Sequence, residues 1–201
     1  MVSDLNDQTV QRKEKLSKLR QQGNPYPNDF RRDSCAKNAL EQQERLASQA
    51  PETRGDEIKL AGRLMSRRIM GKASFAHIQD ESGRIQLYAQ RDRLPEGQYN
   101  ESFKKFDIGD IIGVIGRPFI TKTGELTIEV SQFQLLVKSL HPLPEKHHGL
   151  TNVEIRYRQR YIDLLVSETS RNVFRKRAAT IRSLRKFLDD RGYIEIESPI
   201  M

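Results

Sequence analysis

The sequence predicts a mainly β chain with helices: a five-stranded barrel preceded by helical segments and followed by the start of a further domain. Three observations carry this prediction. From residue 58 to residue 138 apolar and polar residues alternate, the period of half-buried strands. Before that stretch, residues 4–22 and 36–49 are polar with a sparse helical stripe. After it, an amphipathic run at 170–192 leads into one alternating segment with no further strand to pair with. The expected division is an N-terminal helical segment (1–55), a barrel domain (56–140), a linker (141–150) and the beginning of another domain (151–201).

Taken in order, "DLNDQTVQRKEKLSKLRQQ" carries the stripe Leu5, Val10, Leu16 and Leu19, and Gly23 is placed to stop it. So thin a stripe must lie on its own domain, a partner subunit or RNA. "NPYPNDFRRD" runs extended, because a residue before proline is biased out of the helical region. "AKNALEQQERLASQ" is a second polar helix, and "APETRGDE" is a linker. Three strands follow, "IKLAGRLMSRRI", "ASFAHIQD" and "GRIQLYAQ", the last two joined by the tight turn "ESG". "YNESFKKFD" is a short helix or turn. "DIIGVIGRPFITK" and "LTIEVSQFQLLVKS" are the fourth and fifth strands, joined by "TKTGE" with Gly124 able to take positive φ. The apolar parity of the fifth slips from Leu126, Ile128 and Val130 to Phe133, Leu135 and Val137, which requires a bulge near Ser131–Gln132. Gly62, Gly113 and Gly116 suit the bends of a closed sheet.

Three strands, a short helical connection and two more strands is the order of the OB barrel, which binds oligonucleotides on its strand 2–3 face and rim loops. An SH3-like barrel or a small sandwich fits the same pattern. In "RIQLYAQ", Ile85, Leu87 and Ala89 form the core side. If Ala76 and Ile78 share that side, Phe75, His77 and Gln79 face outward, with Phe75 near Gln86. Alternation alone also allows Phe75 to lie inside.

"SLHPLPEKHHGL" is a linker, and "TNVEIRYRQRYIDLL" is a helix capped by Thr151 or Asn152. "SRNVFRKRAATIRSLRKFLDDRG" is a longer helix with the stripe Val173, Ile181, Leu184 and Leu188, ended by Gly192. "YIEIESPIM" reads as a strand, with Ile194 and Ile196 alternating against Glu195 and Glu197.

Composition narrows the function. Of 201 residues, 36% are hydrophobic and 31% charged, and no run approaches the roughly 20 apolar residues of a membrane span. The first 25 residues lack a signal-peptide core, and the single cysteine, Cys35, cannot form an internal disulfide, so a cytoplasmic protein is expected. Cys35 has no nucleophile motif around it. His141, His147 and His148 do not have metal-ligand spacing, and no metal is expected. The net charge of +8 is concentrated in "KLAGRLMSRRIMGK", which has Lys59, Arg63, Arg67, Arg68 and Lys72 but no acid. A basic patch beside an exposed aromatic suggests nucleic acid; taken alone, such a run is an ordinary solvated face.

"RRIMGKASFAHIQDESGRIQLY", "TKTGELTI" and "RYRQRYIDL" together resemble the N-terminal part of class II lysyl-tRNA synthetases of the bacterial type, over almost the whole chain. "RKRAATIRSLRKFLDDRGYIEIESPIM" resembles motif 1 of that class, including Arg185, Gly192 and the closing Pro199, an element that builds the family's dimer interface. The resemblance implies a parent enzyme that joins lysine to tRNA through a lysyl-adenylate, using ATP and Mg2+, as a homodimer. Motifs 2 and 3, which hold ATP, would lie beyond Met201. These residues would then bind tRNA without catalysing, and no catalytic residue is expected among them.

Sequence-specific RNA recognition favours unstacked bases with free Watson–Crick edges. Phe75 matches the family's stacking aromatic for the middle anticodon base. Gln86 offers a donor and an acceptor to a uracil edge, and Glu125 can accept from uracil N3–H while repelling the N3 acceptor of cytosine. Arg68 can donate to a carbonyl oxygen or a phosphate. Each has an ordinary alternative: a solvated strand residue, a turn acid, a surface charge. Lys59, Arg63, Arg67, Lys72 and Lys122 suit phosphate contacts, which add affinity but little selection. "RYRQRYIDL" is expected to lock the barrel to the catalytic domain through Tyr157, Tyr161 and Leu164. Two other functions compete: the related part of an aspartyl- or asparaginyl-tRNA synthetase, and a stand-alone single-stranded nucleic-acid-binding OB module.

Overall fold

Five strands close on themselves in the order β1 (Ile58–Met70), β2 (Ala73–Gln79), β3 (Arg84–Gln90), β5 (Leu126–Val137) and β4 (Ile111–Ile120), with β4 returning to β1. The structure is a computed structural model describing residues 2–48, 53–144, 150 and 152–199, with the side chains of residues 2–6 and 44 excepted. The Leu5 side chain and residues His147, His148 and Thr151 lie outside the described set. Every neighbouring pair is antiparallel except β3 and β5, which run parallel. This is the OB barrel, with Leu60, Leu64, Ile78, Leu87, Val114 and Ile128 in its core. The turns between β3 and β4, Gln98–Ser102 and Phe103–Lys105, add Tyr99 and Phe103 to that core, and Phe103 stacks on Phe133 at 4.7 Å.

Bulges decide which side chains face out. In β5 the pairing steps from Ile115↔Gln132 to Gly116↔Val130, leaving Ser131 extra, as the parity slip requires. At Gly116 a Cβ would stand 2.3 Å from the Glu129 carbonyl oxygen, so only glycine allows β4 and β5 this approach. A second bulge was not legible. In β1 the pairing steps from Leu64↔Ile78 to Ser66↔His77, leaving Met65 extra. Beyond Met65 the parity of β1 is therefore inverted: Ser66 and Arg68 join the outer face, and Arg67 turns to the core side opposite Ala76.

The chain divides into two compact units, Met1–Pro142 and Leu143–Met201. In the first, α1 (Val2–Gln22) is held to the barrel by buried Leu16 and by two cations. Arg12 donates to the carbonyls of Ser139 and His141, and Lys15 donates to Asp107 at 2.7 Å. Behind them Lys138, buried with Asp110, is held by both Asp107 and Asp110. The single helix expected at 36–49 is instead two, α2 (Ala36–Leu40) and α3 (Gln43–Ala47), and the break lets Ala39 and Leu46 both reach the core. The Ala36 amide donates to Asp80 in the β2–β3 turn, where the same carboxylate also accepts from Ser82 and Gly83.

The second unit contains α4 (Val153–Arg158), α5 (Arg160–Val166) and α6 (Glu168–Asp189). Asn152 caps α4 by accepting from the amides of Glu154 and Ile155. The expected continuous helix breaks at Gln159, and the break lets Arg156 and Arg160 converge on the buried carboxylate of Asp163, which also accepts from Ser170. Gly192, at φ +80°, ends the α6 segment. The strand expected at 193–201 is corrected: residues 193–199 form no ladder, and Ile194 and Ile196 are 86% and 79% exposed. A strand needs a neighbour for its amides and carbonyls, and the described residues offer it none.

Candidate nucleic-acid interface

The outer face of β2 and β3 is arranged in two tiers. Cross-strand register places Arg68, Phe75, Tyr88, Glu129 and Arg117 in one row across β1, β2, β3, β5 and β4. The next row is Ser66, His77, Gln86 and Thr127, ending at Phe119. Phe75 is thus on the outside, half-buried, and the alternative interior position is not adopted. Its direct partner is Tyr88, with ring centroids 5.1 Å apart, and Gln86 is its diagonal neighbour. Tyr88 in turn meets Phe119 edge-on at 6.1 Å.

That aromatic row is closed at one end. The Arg54 guanidinium lies 4.3 Å over the Phe119 ring and pairs with Glu129 at 3.0 Å, and Arg93 pairs with the same carboxylate. At the other end, among the described residues, no guanidinium covers Phe75, whose strand partner on β1 is the exposed Arg68.

The second tier is a polar network. Gln86 donates to Glu125 at 2.8 Å and accepts from the buried Thr127 hydroxyl at 2.7 Å, so both ends of its amide are fixed. Glu125 stands at the end of the β4–β5 turn, where Gly124 takes φ +84° and Thr121 bonds both the amide and the carbonyl of Glu125. Its second carboxylate oxygen lies 3.6 Å from His77 Nε2, and His77 Nδ1 lies 3.0 Å from the Ser66 hydroxyl. Stacking surface, paired donors and acceptors, and a carboxylate thus stand side by side, the inventory needed to hold one unstacked base and test its edge.

The basic candidates separate by position. Lys72, in the β1–β2 turn, and Lys122, in the β4–β5 turn, are exposed beside the two tiers. Arg67 differs from the expectation of a phosphate contact: the Met65 bulge turns it inward, where it donates to the Phe103 carbonyl at 2.6 Å. Burial holds its pKa below the usual guanidinium value. Arg63 is likewise committed, donating to the Gly109 carbonyl at 2.7 Å. Lys59 is exposed but lies nine residues back along β1, about 30 Å from Arg68 at a strand rise of about 3.3 Å.

In the second unit, Arg185 pairs with Glu195 at 2.9 Å, and Pro199 is exposed in the segment after Gly192. Tyr157 and Tyr161 are exposed, and Arg160 lies 5.0 Å over the Tyr157 ring. Sequence reasoning passed over Tyr88, His77, Ser66, Thr127 and Phe119 as site residues. Tyr88 and His77 were visible as outward members of alternating strands, whereas Ser66, Thr127 and Phe119 depend on register. Among the described residues no group of three His, Cys, Asp or Glu is placed to hold a metal, and no helix is long and apolar enough to cross a membrane.

Comparisons with known proteins agree with the barrel fold. Residues 58–136 match the family described as OB-fold nucleic acid binding domain, and residues 152–201 match tRNA synthetases class II (D, K and N). The chain is 54% identical over 198 residues, 98% of its length, to a lysine–tRNA ligase of Idiomarina loihiensis, and covers 39% of that protein. It is 52% identical over 200 residues to lysine–tRNA ligases of Coxiella burnetii and Salmonella arizonae, covering 40% of each. The chain thus spans two fifths of the length of the relatives it matches, corresponding to their N-terminal part. Barrel and matches together show an OB-fold nucleic acid binding domain followed by a class II tRNA synthetase segment, similar to the N-terminal two fifths of lysine–tRNA ligases.

Proposed function

We propose that the outer face of β2 and β3 reads the anticodon loop of a lysine-accepting tRNA. Phe75 stacks on one uridine, Gln86 and Glu125 test its edge or a neighbour's, and Arg68, Lys72 and Lys122 hold the backbone. The observation that carries this reading is the side-by-side placement of an uncapped ring, Phe75, and a fixed amide–carboxylate pair, Gln86 and Glu125. Stacking is available to every base, so affinity comes from Phe75, and selection comes from the polar tier.

Joined to a complete class II catalytic domain, this barrel serves lysine–tRNA ligation in the cytoplasm by a homodimer. In such a ligase ATP and Mg2+ would activate lysine as the adenylate, a step in which the residues described here are assigned no part. Arg185, Gly192 and Pro199 belong to the dimer-forming element. The residues present here position the tRNA and carry out no bond-making step.

Binding of the chain to anticodon stem-loops carrying UUU, GUC and GUU, at two salt concentrations, tests the proposal. UUU is preferred. Phe75→Ala weakens all three loops by about 5- to 150-fold, the equivalent of about 1–3 kcal/mol of stacking. Gln86→Ala narrows the gap between loops. Equal binding to all three would replace the anticodon reading with a generic single-strand module, and a preference for GUC or GUU would move the assignment to the aspartate or asparagine enzymes.

A further inference from the structure

The second tier contains a residue that the anticodon reading does not use. His77 lies between Ser66 on β1 and Gln86 on β3, and its ring reaches the turn that carries Glu125. Arg84 approaches the Ser66 oxygen at 3.5 Å with an N–H, and the Ser66 hydroxyl, 3.0 Å from His77 Nδ1, is placed to donate to it. A neutral imidazole that accepts at Nδ1 carries its proton on Nε2. Nε2 faces the Glu125 oxygen at 3.6 Å, longer than a hydrogen bond but close enough for the proton's placement to decide between attraction and repulsion. From the opposite side Gln86 donates to the other Glu125 oxygen at 2.8 Å.

We infer that His77 is a positioning residue for uridine selection: with Ser66 fixing its tautomer, it holds the Glu125 carboxylate from one side while Gln86 holds it from the other. This rests on the anticodon reading above. Glu125 sits on a turn with half its side chain exposed, and a carboxylate tethered only by Gln86 would be free to rotate about that single contact. Held from two sides, it presents a fixed acceptor, which matches the N3–H of uracil and opposes the bare N3 of cytosine. Tethered from one side, it can turn away from cytosine at little cost, and selection weakens while stacking on Phe75 does not.

The test compares Kd for the UUU stem-loop with Kd for three loops, each with one U→C change. In the unaltered protein one position shows a U-over-C ratio of about 5- to 150-fold. His77→Val lowers that ratio by about two- to tenfold, leaves the other two positions unchanged, and leaves the thermal melt in place. His77→Gln, which keeps a donor toward Glu125, restores the ratio. Ser66→Ala, which frees the tautomer, lowers it in the same direction. In a Glu125→Gln background, His77→Val has no further effect. If His77→Val leaves every ratio unchanged, or weakens all loops equally, the inference is wrong. If Glu125→Gln collapses the ratio while both His77→Val and Ser66→Ala do not, this inference fails alone; if Phe75→Ala and Glu125→Gln are also without effect, the anticodon reading itself fails.

Discussion

Asp110→Asn changes one oxygen of the barrel to an amide nitrogen, and its cost can be worked from the contacts. The Asp110 carboxylate is 0% exposed and Lys138 is 2% exposed. One oxygen accepts from Lys138 at 2.7 Å and from the Ser139 amide at 2.8 Å; the other accepts from Lys138 at 2.9 Å and from the Asp107 amide at 2.7 Å. Whichever way an asparagine is turned, its NH2 faces an ammonium and a backbone N–H, so donors meet donors. Removing one partner of a buried pair costs about 3–5 kcal/mol. Asp107 still holds Lys138 at 2.6 Å, which favours the low end, and one inverted backbone hydrogen bond adds about 1 kcal/mol. A loss of about 4 kcal/mol is expected, a large share of the 5–15 kcal/mol typical of a folded protein. Tm should fall by roughly 8–16 °C at about 2–4 °C per kcal/mol. The chain has no tryptophan, so urea unfolding is followed by far-UV circular dichroism, with m unchanged. Asp110 lies seven residues along β4 from Arg117, about 23 Å at a strand rise of about 3.3 Å, so stem-loop affinity of the folded protein should hold. A loss below about 1 kcal/mol would refute the claim that this pair is desolvated; a tenfold loss of affinity with an intact melt would refute its separation from the interface.

The same cluster makes acid stability dependent on Lys15. Burial raises the Asp107 pKa, but hydrogen bonds from Lys138 and Lys15 outweigh burial and hold it below the usual carboxylate range. A depressed carboxylate stabilises the fold above its unfolded pKa, about 3.9, and that contribution is lost as pH falls through the folded value. Lys15→Met should therefore lower Tm most above pH 5 and converge on the unaltered protein at the acid end; a constant offset across the range would contradict the linkage. Lys72→Ala and Lys122→Ala should each weaken all stem-loops alike and flatten the slope of log affinity against log salt by about 0.7, a value set by one phosphate contact to single-stranded RNA. A slope unchanged in both would remove these two lysines from the interface.

How much of this was legible follows from the range of each cause. The five strands and the Ser131 bulge follow from alternation, a local signal that apolar residues print directly, whereas alternation allowed Phe75 either face and the barrel register settles it outside. The Met65 bulge left no such print, because "LMSRRIM" holds polar residues just where parity inverts, and so Arg67 stood among the expected phosphate contacts. The helix breaks at Glu41–Gln42 and Gln159 are set by tertiary contacts, one to the barrel core and one to the Asp163 carboxylate, which local propensity does not register. Glu125 and His77 are far apart in sequence, and only the closing of β5 beside β3 brings them together.

On the proposed anticodon reading, the two tiers divide the work of recognition in a way that argues against a generic single-strand binder. Proteins that bind any single strand line up several open rings so that successive bases can stack. Here Phe75, Tyr88 and Phe119 make a run of three rings that crosses from the first tier to the second, but Arg54 covers Phe119, and Glu129 fixes Arg54 in place. Tyr88 is flanked by a ring on either side. Among the described residues Phe75 has a ring on one side and no guanidinium over it, which suits one base rather than a run of them. The tiers are two residues apart along the strands, about 7 Å, so a base flat on Phe75, as proposed, would direct its edge toward the tier of Gln86, His77 and Glu125. In that tier the Gln86 carbonyl is held by Thr127, one N–H of its amide by Glu125, and His77 Nδ1 by Ser66. A network so committed within the protein can accept one hydrogen-bonding pattern and must break internal bonds to accept another, which is the physical basis for selecting a base instead of merely holding it.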